Sequence, residues 1–205
     1  MPSFEPRYNV APTQDVPLVL EEDQGVRKAV FARWGLVPFW AKDASIGNRL
    51  LNARGDTIRA KPAFRAAFRK RRGLMPADLF YEWQALPGSK LKQPWCIRMP
   101  GDAPFAFGAV WEQWLDRTAE DSKLLTSCAI VTTEPNAVMT PIHDRMPLII
   151  EANDYDNWLD PAANESEAFE LIRPYPGEMR AYRVSTWVNS PARTDSRCIE
   201  GITAD

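Results

Sequence analysis

The sequence predicts an α+β fold in which a curved, mainly antiparallel sheet or small distorted barrel is flanked by short helices. Three observations carry this. Strand-like segments crowd the centre of the chain and are separated by short turn signals. The helical patterns lie mostly at the edges and do not alternate with the strands, so no parallel βαβ architecture is implied. Proline is abundant, 18 in 205 residues, which favours turns, loops and edge strands over long regular elements. No linker, repeat or low-complexity tract divides the chain, so residues 1–205 are read as a single domain.

The elements follow in order. Residues 16–20 and 26–34 read as a β-hairpin whose turn is supplied by 21–25. Residues 35–43 form an aromatic loop, which with the preceding Trp34 begins Trp34-Gly35-Leu36-Val37-Pro38-Phe39-Trp40. Residues 62–72 read as a short helix: Pro62 suits a first turn, Phe64 and Phe68 stand at i, i+4, and Gly73 follows as a stop. The Phe pair is expected to face the core and the surrounding charges to face out. Strands follow at 74–83, 94–99, 105–114 and 125–133, with Pro87-Gly88-Ser89 and Pro100-Gly101-Asp102 as turn signals. Residues 140–147 read as a polar loop and 148–150 as a short strand. Residues 154–159 and 165–172 look helical, the second with Asn164 as its N-cap. A last strand is expected at 179–185.

Composition narrows the chemistry. The net charge of −2 hides an asymmetry: residues 1–100 carry an excess of eight basic side chains, residues 101–205 an excess of ten acidic ones. Arg59, Lys61, Arg65, Arg69, Lys70, Arg71 and Arg72 fall between Asp56 and Asp78 with no acid among them. Such a cluster can attract a polyanion, or can simply be a solvated helix face. One histidine and three scattered cysteines argue against a structural zinc site, and no metal or other cofactor is expected. Cys96, Cys128 and Cys198 lack C-x-x-C spacing and read as reduced thiols, Cys96 and Cys128 in the core. No apolar run is long enough for a membrane helix and the start resembles no signal peptide, so a cytoplasmic protein is expected.

Four local patterns can carry chemistry, each with a plainer reading beside it. His143 lies in the loop Pro141-Ile142-His143-Asp144-Arg145-Met146-Pro147 and would titrate near neutrality, as a proton-transfer group or as a structural histidine. Asn52-Ala53-Arg54 places a carboxamide and a guanidinium fork at a strand end, although Asn and Gly also favour turns. Glu82 lies inside Phe80-Tyr81-Glu82-Trp83. Strand alternation puts it on the face of Phe80, where desolvation would raise its pKa and suit acid–base work. The Trp34–Trp40 loop offers aromatics that stack on unpaired bases or fill a core.

Taken together and in order, these segments resemble one family. Arg7-Tyr8-Asn9-Val10-Ala11-Pro12-Thr13, Trp34-Gly35-Leu36-Val37-Pro38, Asn52-Ala53-Arg54, Phe80-Tyr81-Glu82-Trp83, Gln93-Pro94, Phe107-Gly108-Ala109-Val110-Trp111, Ile130-Val131-Thr132-Thr133 and His143-Asp144-Arg145-Met146-Pro147 closely resemble the SOS-response-associated peptidase (SRAP) family. The resemblance runs from Arg7 to about Asn189. It implies the SRAP fold and a protein that shields abasic sites in single-stranded DNA. In that family an N-terminal Cys, exposed by loss of the initiator Met, closes a thiazolidine with the ring-opened sugar. The peptidase name reflects proposed removal of the residue before that Cys. By the same resemblance Asn52 would position the nucleophile, Glu82 would serve as acid/base in ring opening, and His143 would assist proton transfer. Arg54 and Arg145 would grip phosphates, and Trp34, Pro38 and Trp40 would help wedge the strand apart. The expected partner is single-stranded DNA containing abasic sites, with no membrane and no metal, bound by a monomer.

One departure stands out. The family begins Met-Cys-Gly-Arg and continues through a helical stretch; here Met1-Pro2-Ser3 precedes Arg7 almost at once. The three cysteines present carry no free α-amine and cannot replace the missing one. Three accounts are open. The native start lies upstream, the protein is a shortened homologue that binds single-stranded DNA noncovalently around a vestigial site, or Pro2 offers a secondary amine.

Overall fold

A computed structural model describes residues 6–22, 25–116 and 123–202. The hairpin forms as expected. β1 (Asp15–Glu22) pairs antiparallel with β2 (Val26–Trp34) in a register running from Asp15↔Arg33 to Glu22↔Val26. The segment expected as one strand at 74–83 is two. β4 (Arg72–Ala77) and β5 (Leu79–Ala85) break at Asp78 and belong to different sheets. β7 (Phe105–Asp116) and β8 (Lys123–Thr133) form a long antiparallel pair.

Closure makes the fold. β7 pairs β4, β4 pairs β1, β1 pairs β2, β2 pairs β8 in parallel, and β8 pairs back on β7. Five strands therefore close on themselves, which removes their open edges. Side chains alternate across the barrel wall. Leu18, Ala32, Phe107, Cys128 and Ile130 fill the inside, and Ala106, Val110, Ala129 and Val131 face outward into a second core. That second core is covered by α1 (Arg65–Lys70), α2 (Tyr155–Leu159) and α3 (Glu165–Glu170). Its largest member, Trp158, is fully buried and donates its indole N–H to the Gly73 carbonyl at 2.9 Å. Asn164 caps α3 as expected, accepting the Ser166 N–H at 3.0 Å.

The helix expected at 62–72 shortens to Arg65–Lys70, and the expectation that its charges all face out is corrected. Arg72 is only 2% exposed. Its guanidinium donates to the carbonyls of Phe68, Arg69, Trp158 and Asp160. It thus supplies donors that the C-terminal ends of α1 and α2 lack. Arg71 bonds the buried Glu112 carboxylate at 2.6 Å, while Arg59 and Arg69 share Glu165. Four of the seven basic residues are thereby paired within the protein, Arg59 and Arg69 while still exposed. Phe64 and Phe68 do face the core.

The remaining strands place the candidate chemistry. β3 (Asn52–Arg54) and β9 (Met146–Pro147) both pair with β8, and β10 (Ile149–Ile150) pairs with β7. β5, β6 (Lys92–Arg98) and β11 (Arg180–Arg183) make a separate antiparallel sheet in the order β11-β6-β5. Among the described residues, no helix is long and apolar enough to cross a membrane.

Candidate active site

The three-stranded sheet presents Glu82. Phe80, Ile97 and Ala181 are cross-strand partners on one face, and they pack into the barrel core. One step along, on the same face, Glu82 lies opposite Trp95. The expectation that Glu82 shares a face with Phe80 is borne out. The opposite face, with Tyr81, Cys96 and Tyr182, packs on a third cluster around Val184, Val188 and Cys198. Glu82 therefore stands where the packed part of the sheet gives way to its rim. Burial pushes its carboxyl above the usual range. The His143 cation, the backbone N–H of Trp83 and Lys92 oppose that shift, and Asp144 adds to it.

The loop carrying His143 is tied to this strand. The Gln84 carboxamide donates to the Pro141 carbonyl at 2.8 Å and accepts the Trp95 indole N–H at 3.1 Å. The His143 Nδ1 lies 3.1 Å from the Arg145 N–H and 3.2 Å from Asp144 Oδ1. Local groups thus engage one ring nitrogen, and the half-exposed ring keeps the other for a ligand. Asp144 is 91% exposed, so its pairing with His143 orients more than it stabilises.

A paired-arginine clamp lies on β3 and the end of the same loop. Arg54 donates to Asp56 through Nε at 3.3 Å and Nη2 at 2.8 Å. Arg145 Nη1 stands 3.5 Å from the same carboxylate. The β-ladder explains the convergence: Arg54 lies opposite Thr132 of β8, and Arg145 Nη2 donates to the Thr132 carbonyl at 2.7 Å. The Arg145 Nε is buried without a partner, which leaves that guanidinium under-satisfied. Asp56 sits between two cations that would otherwise repel, and both hold its pKa below the usual carboxylate range. No motif in the sequence singles out Asp56. Its one signal is the i, i+2 spacing from Arg54 on a turn, which brings an acid under a guanidinium.

Asn52 precedes Arg54 by two and points to the same side of β3. It is exposed and makes no side-chain hydrogen bond among the described residues. Trp34 is adjacent: its indole N–H bonds the Leu51 carbonyl at 3.0 Å. The loop beyond it depends on two glycines. Gly35 takes φ +136°, and a Cβ there would stand 2.7 Å from the Gly47 carbonyl oxygen. Pro38 is buried, whereas Phe39 and Trp40 are 61% and 50% exposed. Pro38 thus shapes the loop and the two aromatics project from it; Phe39 joins Trp40 there, although the sequence alone does not distinguish it from a core residue.

The structure thus brings Glu82, His143 and Asp144 together, pairs Arg54 with Arg145, and sets Trp34 beside Asn52. No group of three or more His, Cys, Asp or Glu able to hold a metal occurs among the described residues. All three cysteines are buried, and burial pushes Cys128 up to about 12, so none is a ready thiolate. Pro2 lies outside the described residues.

The chain is 40% identical over 199 residues to the abasic site processing protein YoaM of Bacillus subtilis, covering 96% of this chain and 86% of that one. It is 30% identical to the abasic site processing protein HMCES of Pongo abelii, over 95% of this chain and 64% of that one. A crystal structure of a protein from Bacteroides thetaiotaomicron superposes with a TM-score of 0.82 at 26% identity, covering 93% of this chain and 82% of that one. The profile of the SOS response associated peptidase family matches residues 1–191, which takes in every candidate residue above, and the chain belongs to that SRAP family.

Proposed function

We propose that this protein processes abasic sites in single-stranded DNA, working as one domain and as a cytoplasmic monomer. The observation that carries the reading is the meeting of a desolvated carboxyl, Glu82, with the only histidine, His143, on a loop that ends in the Arg54–Asp56–Arg145 clamp. Relatives named as abasic site processing proteins support the choice of lesion. The clamp grips backbone phosphate, which gives salt-sensitive affinity without sequence preference. Trp34 and Pro38 set the loop that carries Trp40, and the exposed aromatics stack on or separate bases beside the lesion. A protonated Glu82 donates to the ring oxygen as the sugar opens to its aldehyde. His143 relays protons, and Asn52 holds the attacking amine by its unpartnered carboxamide.

The covalent form of the reaction needs an N-terminal amine beside a thiol, so that amine and thiol together close a thiazolidine on the aldehyde with loss of water. The thiols of Cys96, Cys128 and Cys198 are buried and carry no α-amine, so none of them supplies that pair. The test incubates two proteins with abasic single-stranded DNA: this chain, and one beginning Met-Cys-Gly-Arg ahead of Arg7. A heat-stable adduct from the second alone is expected. Failure of both to bind abasic DNA more tightly than undamaged DNA would overturn the reading.

A further inference from the structure

The register of the small sheet puts an arginine in line with Glu82. Glu82 lies opposite Trp95, and Trp95 lies opposite Arg183. The three side chains form one row on one face, just beyond the buried row Phe80–Ile97–Ala181. Two strand spacings, about 10 Å, separate the ends of that row. The Arg183 guanidinium lies over the Trp95 ring, 5.5 Å from its centroid. Trp95 is itself fixed, because its indole N–H is held by Gln84, which also pins the Pro141 carbonyl of the His143 loop.

The partners of Arg183 set it apart from its neighbours. Arg180, on the same strand, pairs with Asp102, Arg197 pairs with Asp195, and Arg173 pairs with Glu151 and Asp154. Among the described residues, Arg183 meets no carboxylate and donates no side-chain hydrogen bond. It is exposed, and its guanidinium lies over an indole ring. A guanidinium held in this way loses little freedom when it takes an anion.

We propose that Arg183, seated on Trp95, binds a backbone phosphate of the single strand as it runs past Glu82. The site is thereby extended from the clamp on one side of Glu82 to the edge of the small sheet on the other. This inference rests on the reading of the Glu82 face as the DNA site. Arg183 acts on affinity and leaves the chemistry at Glu82 and His143 unchanged.

Dissociation constants for a labelled single-stranded oligonucleotide with one abasic site are measured against salt for the wild type, Arg183→Ala, Arg183→Lys, Arg54→Ala and Arg145→Ala, with circular dichroism to confirm folding. Arg183→Ala is expected to weaken binding about fivefold near 0.1 M salt. It should also flatten the log–log salt slope by about 0.7, because one phosphate fewer is neutralised. Arg183→Lys keeps the slope. Wild-type affinity and slope in Arg183→Ala, beside weakened Arg54→Ala and Arg145→Ala, would overturn this inference alone. Weaker binding at unchanged slope would also overturn it, since that marks a structural effect. Wild-type affinity in all the variants would instead bring down the reading of the whole face.

Discussion

The Glu82 carboxyl gives this protein a pH dependence opposite in sign to that of its paired surface carboxylates. Desolvation holds the Glu82 pKa above its ordinary value, so its charged form is disfavoured in the folded state. The stability this represents is complete below the unfolded pKa and is lost as pH rises through the folded one. Glu82→Gln, which mimics the protonated acid, is therefore expected to raise the melting temperature at neutral pH and to leave it unchanged near pH 3. Thermal unfolding at the two pH values checks this. The same substitution is expected to slow adduct formation by the Cys-bearing form about 100-fold or more, because an amide cannot donate the proton. The His143 cation pulls the Glu82 pKa down. His143→Ala should therefore shift to higher pH the limb on which the rate falls as Glu82 deprotonates, and no second histidine is present to mask the effect. At this scale the sequence is informative: alternation in Phe80-Tyr81-Glu82-Trp83 places Glu82 correctly. It is silent on Asp56 and Gln84, whose roles depend on partners far along the chain, Arg145 and Pro141.

Elements in this fold are short and are held by tertiary bonds more than by their own propensity. α1 has only six residues, and the guanidinium that satisfies its last carbonyls comes from the next strand. Arg72→Ala should cost about 3 kcal/mol or more, since it orphans four carbonyls at once, two of them in buried bonds, and opens a cavity beside Phe68 and Trp158. Denaturant unfolding measures the destabilisation. The aromatic loop depends likewise on the Gly35–Gly47 crossing. Gly47→Ala is expected to destabilise by about 2 kcal/mol and to weaken DNA binding, because its Cβ would meet the Gly35 carbonyl oxygen at 2.5 Å. The helix expected at 62–72 is shorter for a related reason. Its charge pattern looks the same whether a basic residue faces water or caps a neighbouring helix, and burial of Arg72 is decided by α2, almost ninety residues away.

For the whole molecule, charge is distributed differently from what a count along the chain suggests. Part of the basic excess of the N-terminal half is met by acids of the C-terminal half, through Arg59 and Arg69 on Glu165, Arg71 on Glu112 and Arg27 on Asp156. Arg69→Ala should therefore change affinity for single-stranded DNA less than about twofold, whereas Arg145→Ala should lower it about tenfold and flatten its salt dependence, as titrations over a salt series will show. By itself the sequence determined the α+β class, the hairpin, most strand positions, the capped third helix and the family. Those depend on local periodicity, turn chemistry and an ordered set of segments. Only the tertiary structure decided that β4 and β5 part at Asp78 into separate sheets, that five strands close through a parallel β2–β8 pairing, and that Arg54 and Arg145 share one carboxylate. Pairing between strands and approach of distant charges are settled by where the backbone closes, and no local pattern carries that information.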